Sequence, residues 1–338
     1  MQHPILKLVF LTIASAIGDA AVAEGSTTAI QPDPALDVYA RAAQRVDIGS
    51  ARRLNLRCTG NGNPAVVLEA GFGADSLAWS KLQPLLSAKL RVCSYDRAGY
   101  GFSDIGPMPR DLDAEVADLH ALIHAAKIHV PAILVGHSMG SNIVRSYDQR
   151  YPDDVAALVL IDPPPQNIAE FSTAYVAAEA EMVPAMMETY RSCEQAAKEG
   201  KLAAPAAELQ RCLRGANPAY SDTLNAATRS YRSSPAFWAT VRSGAEAKVH
   251  VFDRPVPPDE KHGAKPLVVL TAVDAYAEAP PDDRKALEAA QAQTHAALAA
   301  TSTLGKRILV HKTSHDLQLD DPSAAFDAIV EAREHVAR

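Results

Sequence analysis

A serine set between two glycines is the first place in this 338-residue chain where residue type and spacing suggest covalent chemistry. The stretch reads "ILVGHSMGSN", residues 133–142. An apolar run, Ile133 to Val135, stops at Gly136, and His137, Ser138, Met139 and Gly140 follow. A sharp strand-to-helix turn lifts a side chain above a sheet only where its neighbours are small, and Gly136 and Gly140 supply that room. A helix starting after Ser138 would also aim its positive end at the same spot. The pattern makes Ser138 a candidate nucleophile. The blander alternative is a turn that happens to contain serine.

A nucleophilic serine needs a base, an acid behind that base, and donors for a developing oxyanion. Among 11 histidines, His120 and His124 are four apart on an expected helix but lack the HExxH arrangement, so no metal site is expected there. His137 lies inside the turn and reads as packing. His315 sits in "KTSHDLQLDD", a loop between the last expected strand and the last helix. In a parallel sheet such loops lie where ligands bind. Its imidazole titrates near neutrality and could take the serine proton and pass it on. Upstream, "LEAGFGADS" carries a strand end into a glycine-flanked loop. The N–H groups of Phe72 and Met139 are the expected oxyanion donors; the alternative is an ordinary glycine turn. Two aspartates close apolar runs, Asp162 in "ALVLID" and Asp274 in "LVVLTAVD", and either could orient His315.

The elements that must position these groups alternate in type. Strand candidates are 53–58, 65–70, 90–95, 132–135 and 155–161. A helix over 111–127 carries the stripe Leu112, Val116, Leu119, Ile123 and is capped by Asp111; another covers 139–150. The alternation resumes at "PLVVLTA" from 266, with a helix near 281–300, "RILVH" at 307–311, and a last helix opened by Asp321-Pro322. This predicts an α/β fold: a mostly parallel central sheet with helices on both faces. Residues 166–262, rich in Ala and Glu, read as a helical cap inserted between core parts 51–165 and 263–338. Residues 24–50 form an N-terminal leader, its latter part expected to be helical.

Composition narrows the classes. With 48% hydrophobic residues the chain can bury a large core. A net charge of −7 and no basic block argue against nucleic acid. Residues 1–23 read as a secretory signal: an apolar stretch from Leu8 to Ile17, then Ala21-Val22-Ala23 as a cleavage site. The alternative, a membrane anchor, is disfavoured because Asp19 interrupts a run too short to span a bilayer. No later membrane span is expected, and the protein is expected to be exported, periplasmic or secreted. Four cysteines in an exported chain fit two disulfides; the spacing suggests Cys193 with Cys212 and Cys58 with Cys93, with buried free thiols as the alternative.

Taken in order, "EAGFG", "YDRAGYGFSD" (Tyr95 to Asp104), "GHSMG" and "SHDLQLDDP" make residues 50–338 resemble the alpha/beta-hydrolase fold superfamily, in its exported esterase-like members. The resemblance implies a cap between sheet strands six and seven. It leans the acid to Asp162, with Asp274 as alternative. Ser141 and Ala70-Gly71 replace the Gly and His-Gly that the family often carries. The Asp96-Arg97 turn reads as scaffold, a buried Arg serving backbone and carboxylate groups.

The expected activity is therefore serine hydrolysis of a small or medium carboxylic ester, thioester or lactone through an acyl-enzyme, with no cofactor or metal. Met186, Met187, Phe237 and Trp238 are candidates for an apolar acyl pocket, though plain cap packing explains them as well. An aminopeptidase or amidase on the same triad would need cap carboxylates such as Glu179, Glu181 and Glu188. A non-catalytic binding protein is a third reading. Dehalogenase and epoxide-hydrolase chemistry would need Asp at position 138.

Overall fold

The computed structural model describes residues 30–248 and 254–336; the expected signal segment, 1–23, lies outside them. Eight strands form one sheet: β1 (Gln44–Asp47), β2 (Arg53–Thr59), β3 (Val66–Glu69), β4 (Val92–Tyr95), β5 (Ala132–His137), β6 (Val155–Ile161), β7 (Gly263–Ala272) and β8 (Ser302–Val310). Their spatial order is β1-β2-β4-β3-β5-β6-β7-β8. Strands β1 and β2 run antiparallel, and β3 to β8 are parallel.

From β3 to β8 the sheet is parallel because each apolar run is followed by a connection long enough to cross back over the sheet. Both faces must then be covered, and the side chains divide accordingly. Ile133 and Val135 of β5 face one core together with Val159, Leu270 and Ile329. Leu134 faces the other, with Leu158, Leu119 and Ile143. Ile133, Leu134 and Val135 are fully buried, each contributing about 1.5–3 kcal/mol from apolar area alone.

The covering helices are α1 (Leu82–Ser87), α2 (Leu112–Ala125), α3 (Gly140–Arg150), α7 (Pro281–Ala299), α8 (Leu317–Asp320) and α9 (Pro322–Val336). The Asp111 carboxylate caps α2 by accepting from Ala114 N at 2.9 Å. The Asp321 carboxylate accepts from Ser323 N and Ala324 N at 3.2 Å at the start of α9, where Pro322 has no N–H to satisfy.

Three helices, α4 (Thr173–Lys198), α5 (Asp222–Arg232) and α6 (Pro235–Lys248), form a cap-like insertion between β6 and β7. They bury a separate cluster in which Met186, Met187, Tyr190, Phe237 and Trp238 meet Phe72 and Met139 from the core loops. The cap is also fastened by polar contacts: Tyr231 Oη donates to Asp75, and Arg110 N to Ser243 Oγ at 2.9 Å.

One detail departs from the sequence reading. The leader is helical over Pro34–Ala40, as a 3-10 helix, but then continues as an edge strand, Gln44–Asp47. Only Val46 of that strand is buried, so it carries no alternation to read; pairing with β2 defines it. Cysteines 58 and 93 face each other across β2 and β4 and form a disulfide, as do Cys193 and Cys212 within the cap. Among the described residues no helix is long and apolar enough to cross a membrane.

Candidate active site

Ser138 is the first residue beyond β5. Its N–H donates to Ile161 O at 2.9 Å, so the ladder with β6 holds the turn in place. Its φ is 52°, a left-handed conformation costly for a residue with a Cβ, which the surroundings must enforce. They do so by close packing. A Cβ on Gly136 would stand 2.6 Å from Gly140 O, and one on Gly140 would stand 2.4 Å from Glu69 O. Neither position tolerates a side chain, and this permits β5, the turn and α3 to pack so tightly. Ser141, where the family often has glycine, spends its hydroxyl on Gly136 O at 2.9 Å.

Asp162 holds the matching position one strand along, directly after β6. Its N–H donates to Leu270 O at 2.9 Å, its φ is 42°, and it is 1% exposed. Its Oδ1 accepts from Ala272 N at 3.1 Å and Gln291 Nε2 at 2.9 Å. Its Oδ2 accepts from His315 Nδ1 at 2.7 Å. Asp274 is elsewhere: it is exposed, and its carboxylate accepts from the backbone N–H of Lys312 at 2.7 Å. The structure therefore pairs His315 with Asp162 and leaves Asp274 as a loop cap.

That pairing sets the tautomer. With Nδ1–H donating to Asp162, the other ring nitrogen is the basic one. His315 Nε2 is buried and makes no hydrogen bond, and no hydrogen bond joins it to Ser138. In unliganded sites this contact is often long and tightens with substrate. Burial opposes charge on His315, but the hydrogen bond and charge of Asp162 outweigh it and raise its pKa above the ordinary 6.5. His137 behaves oppositely. Burial and the adjacent His315 lower its pKa to about 4, so it stays neutral. Its Nε2–H donates to His315 O at 2.9 Å, and the two rings lie 4.8 Å apart. Beyond packing, His137 fixes the loop that carries His315.

The loop after β3 reaches the same place. A Cβ on Gly71 would lie 3.3 Å from Ser138 Cβ, so the Gly71–Phe72 peptide runs beside the serine. Arg97 controls that peptide. Its guanidinium donates to Glu69 Oε1 at 2.6 Å and to the carbonyls of Ala70 and Gly71. In a trans peptide the C=O of Gly71 and the N–H of Phe72 point in opposite directions. Tying the carbonyl to Arg97 therefore turns the Phe72 N–H away from Arg97. Met139, the second expected donor, is the residue before α3.

Sequence reasoning did not find Gln291, which buttresses Asp162 from α7, nor His295, whose Nδ1 and Nε2 meet Thr271 Oγ1 and Pro163 O at 2.7 Å each. Both sit on a helix whose local pattern shows only amphipathicity. Of the expected cap carboxylates, Glu181 and Glu188 are exposed, and Glu188 pairs with Arg191 at 3.0 Å. His120, His124 and Asp154 do come together on the outer face, with donor atoms within 4.8 Å. Asp154 there already accepts from His124 Nε2 at 2.9 Å and Tyr147 Oη at 2.8 Å.

The family model described as alpha/beta hydrolase fold matches residues 64–254, more than half of the chain, and the chain belongs to that family. A putative lipase of Acinetobacter baumannii superposes with a TM-score of 0.60 at 17% identity, over 94% of this chain and 99% of the other. An epoxide hydrolase of Bacillus megaterium does so at 0.59 and 16%, over 86% and 100%. At such identities the likeness is one of fold. The human (lyso)-N-acylphosphatidylethanolamine lipase is 32% identical over 106 residues, 30% of this chain and 31% of the lipase. The chain spans less than half the length of the first curated relatives it matches.

Proposed function

We propose that the protein is a serine hydrolase of small or medium carboxylic esters, with Ser138 as nucleophile, His315 as general base and Asp162 as its orienting acid. One observation carries the reading: the 2.7 Å Asp162–His315 hydrogen bond leaves a buried, unpartnered Nε2 on a histidine packed against the Ser138 turn. The fold hosts both ester and epoxide chemistry, so the reaction is argued from the side chains. A hydrolase that opens epoxides through an ester intermediate needs a carboxylate at position 138, where this chain has serine.

In the mechanism, His315 Nε2 takes the Ser138 proton as the hydroxyl attacks the carbonyl carbon. The N–H groups of Phe72 and Met139 receive the oxyanion, an electrostatic term of about 3–4 kcal/mol per donor. The imidazolium, stabilised by Asp162, then protonates the leaving alkoxide. Water, activated by the same histidine, releases the acid. No cofactor is required. We infer export from the expected signal segment and from two disulfides, and take 166–262 as the cap.

The test is labelling with a fluorophosphonate probe, wild type beside Ser138→Ala, with the modified peptide located by mass spectrometry. Labelling at Ser138 that vanishes in the variant, together with loss of ester turnover by roughly 10³-fold or more, is expected. Folded wild-type protein that takes no label and cleaves no ester would favour a binding protein on a hydrolase fold.

A further inference from the structure

Between the cap and the oxyanion loop lies a cleft bounded by Phe72 and Gly73 on one side and by cap residues on the other. Its lining is unusual in charge. Arg211, Arg214 and Arg232 all contribute to it, and no carboxylate does. Arg232 is 7% exposed, and its hydrogen bond is a single Nη2 donation to Gly73 O at 3.1 Å. Among the described residues neither Arg211 nor Arg214 forms an ion pair or hydrogen bond through its side chain. Arg214 and Arg232 are close enough to repel each other, and Asp75 is the carboxylate that attracts Arg214. Asp75 is itself occupied: it accepts from Tyr231 Oη and from Leu77 N.

Arg211 and Arg214 are exposed to water, so the stronger demand comes from two buried neutral donors. Tyr190 and Trp238 line the cleft and are 2% and 4% exposed. The Tyr190 hydroxyl and the Trp238 indole N–H are buried without a partner. Buried donors normally find acceptors, so two unsatisfied ones beside three guanidinium groups need an explanation. An oxygen-rich anion supplies it, and an ammonium group is excluded by like charge. The remaining walls, Leu213, Phe237 and Val241, are apolar, which suits a short hydrocarbon link to the reacting carbonyl.

We propose that this cleft is a subsite for a carboxylate carried by the substrate, so that the preferred substrates are hemiesters or other esters bearing a second, free acid group. The inference rests on the ester-hydrolase reading and names its substrate class. Because Phe72 belongs to both the oxyanion loop and the cleft wall, a substrate bound at Ser138 extends its acid group over Phe72 toward the arginines.

The experiment compares 4-nitrophenyl hydrogen glutarate with 4-nitrophenyl valerate, a neutral ester of similar length, in wild type and Arg214→Ala. Arg214 is the first choice because it is exposed, whereas Arg232 also holds the Gly73 backbone. The expected result is a kcat/KM ratio at least tenfold in favour of the hemiester, carried by a lower KM; that ratio falls several-fold in Arg214→Ala, where KM for the hemiester rises, and it falls in wild type as salt rises. Titration with glutarate should change tryptophan fluorescence through Trp238, and the change should weaken in Arg214→Ala. A ratio near one in wild type, a ratio unmoved by Arg214→Ala, or a fluorescence response to inorganic phosphate but not to glutarate overturns the carboxylate subsite. Fluorophosphonate labelling of the same preparation separates the two readings. Protein that labels at Ser138 and cleaves valerate without preference keeps the hydrolase and loses the subsite. Protein that binds glutarate but neither labels nor turns over keeps the anion site and loses the hydrolase.

Discussion

Asp162 and Asp274 are the same residue type at the ends of neighbouring strands, yet they stand in different surroundings. Asp162 receives three hydrogen bonds in a buried setting, one of them from His315; Asp274 meets a backbone N–H at the surface. Asp162→Asn is therefore expected to lower kcat by about 10⁴-fold, while Asp274→Asn stays within a few-fold; steady-state assays on both variants check this, and equal losses would refute the assignment. The raised pKa of His315 predicts a second signature. The base must be neutral, so kcat/KM falls as pH drops through a value above the ordinary 6.5. In Asp162→Asn that acid limb should move to lower pH, as a pH–rate profile would reveal. Much of this scale was legible in sequence. Ser138 and His315 stood out because the turn and the loop restrict which residues can occupy them. The choice of acid is the least legible, since both aspartates end apolar runs and only burial and the contact with His315 separate them. Gln291 and the cleft arginines left no local trace, because they come from separate elements that meet only in three dimensions.

Elements were readable where their ends carry chemistry. Helix α2 begins at its Asp111 cap and α9 at Pro322, both as expected. The strand Gln44–Asp47 was missed because four residues with one buried side chain have no period. Elements also depend on single buried links. Arg97 ties β4's end to Glu69 and to the loop after β3, at 4% exposure. Arg97→Ala leaves Glu69 buried without its counter-charge, with Tyr95 Oη still donating to it, so it should cost about 3–5 kcal/mol by urea denaturation and slow Ser138 labelling as the loop slackens. A second link joins α3 to the start of β7. His262 meets Asp148 at 2.6 Å and Glu260 at 3.1 Å, and Arg145 grips Glu260 at 2.6 Å. Burial opposes charge on His262, but the two carboxylates outweigh it and raise its pKa. Its stabilising contribution is fully present below the unfolded value near 6.5 and is lost as pH rises through the higher folded value. The destabilisation caused by His262→Gln should accordingly be larger at pH 5.5 than at pH 9 when melting temperatures are compared.

At the scale of the whole molecule, alternating strands and helices announced a parallel sheet, and the Ala- and Glu-rich middle announced an insertion. How that insertion faces the core was not legible, since it depends on contacts such as Tyr231–Asp75 and Arg232–Gly73 between distant segments. The two disulfides divide along the same line. Cys58–Cys93 lies within the sheet, and Cys193–Cys212 closes a 19-residue separation within the cap. Removing the second with Cys193→Ala and Cys212→Ala should cost up to about 3 kcal/mol. The loss should appear as faster amide exchange in α4 to α6, with strands β3 to β8 unchanged. Cys212 also borders the arginine cleft. Neither disulfide joins the cap to the sheet, so the two are linked covalently only through the backbone at the ends of the insertion. On the proposed reading, loss of the cap crosslink would loosen the wall that screens substrates, while the sheet ladder still fixes the Ser138 turn.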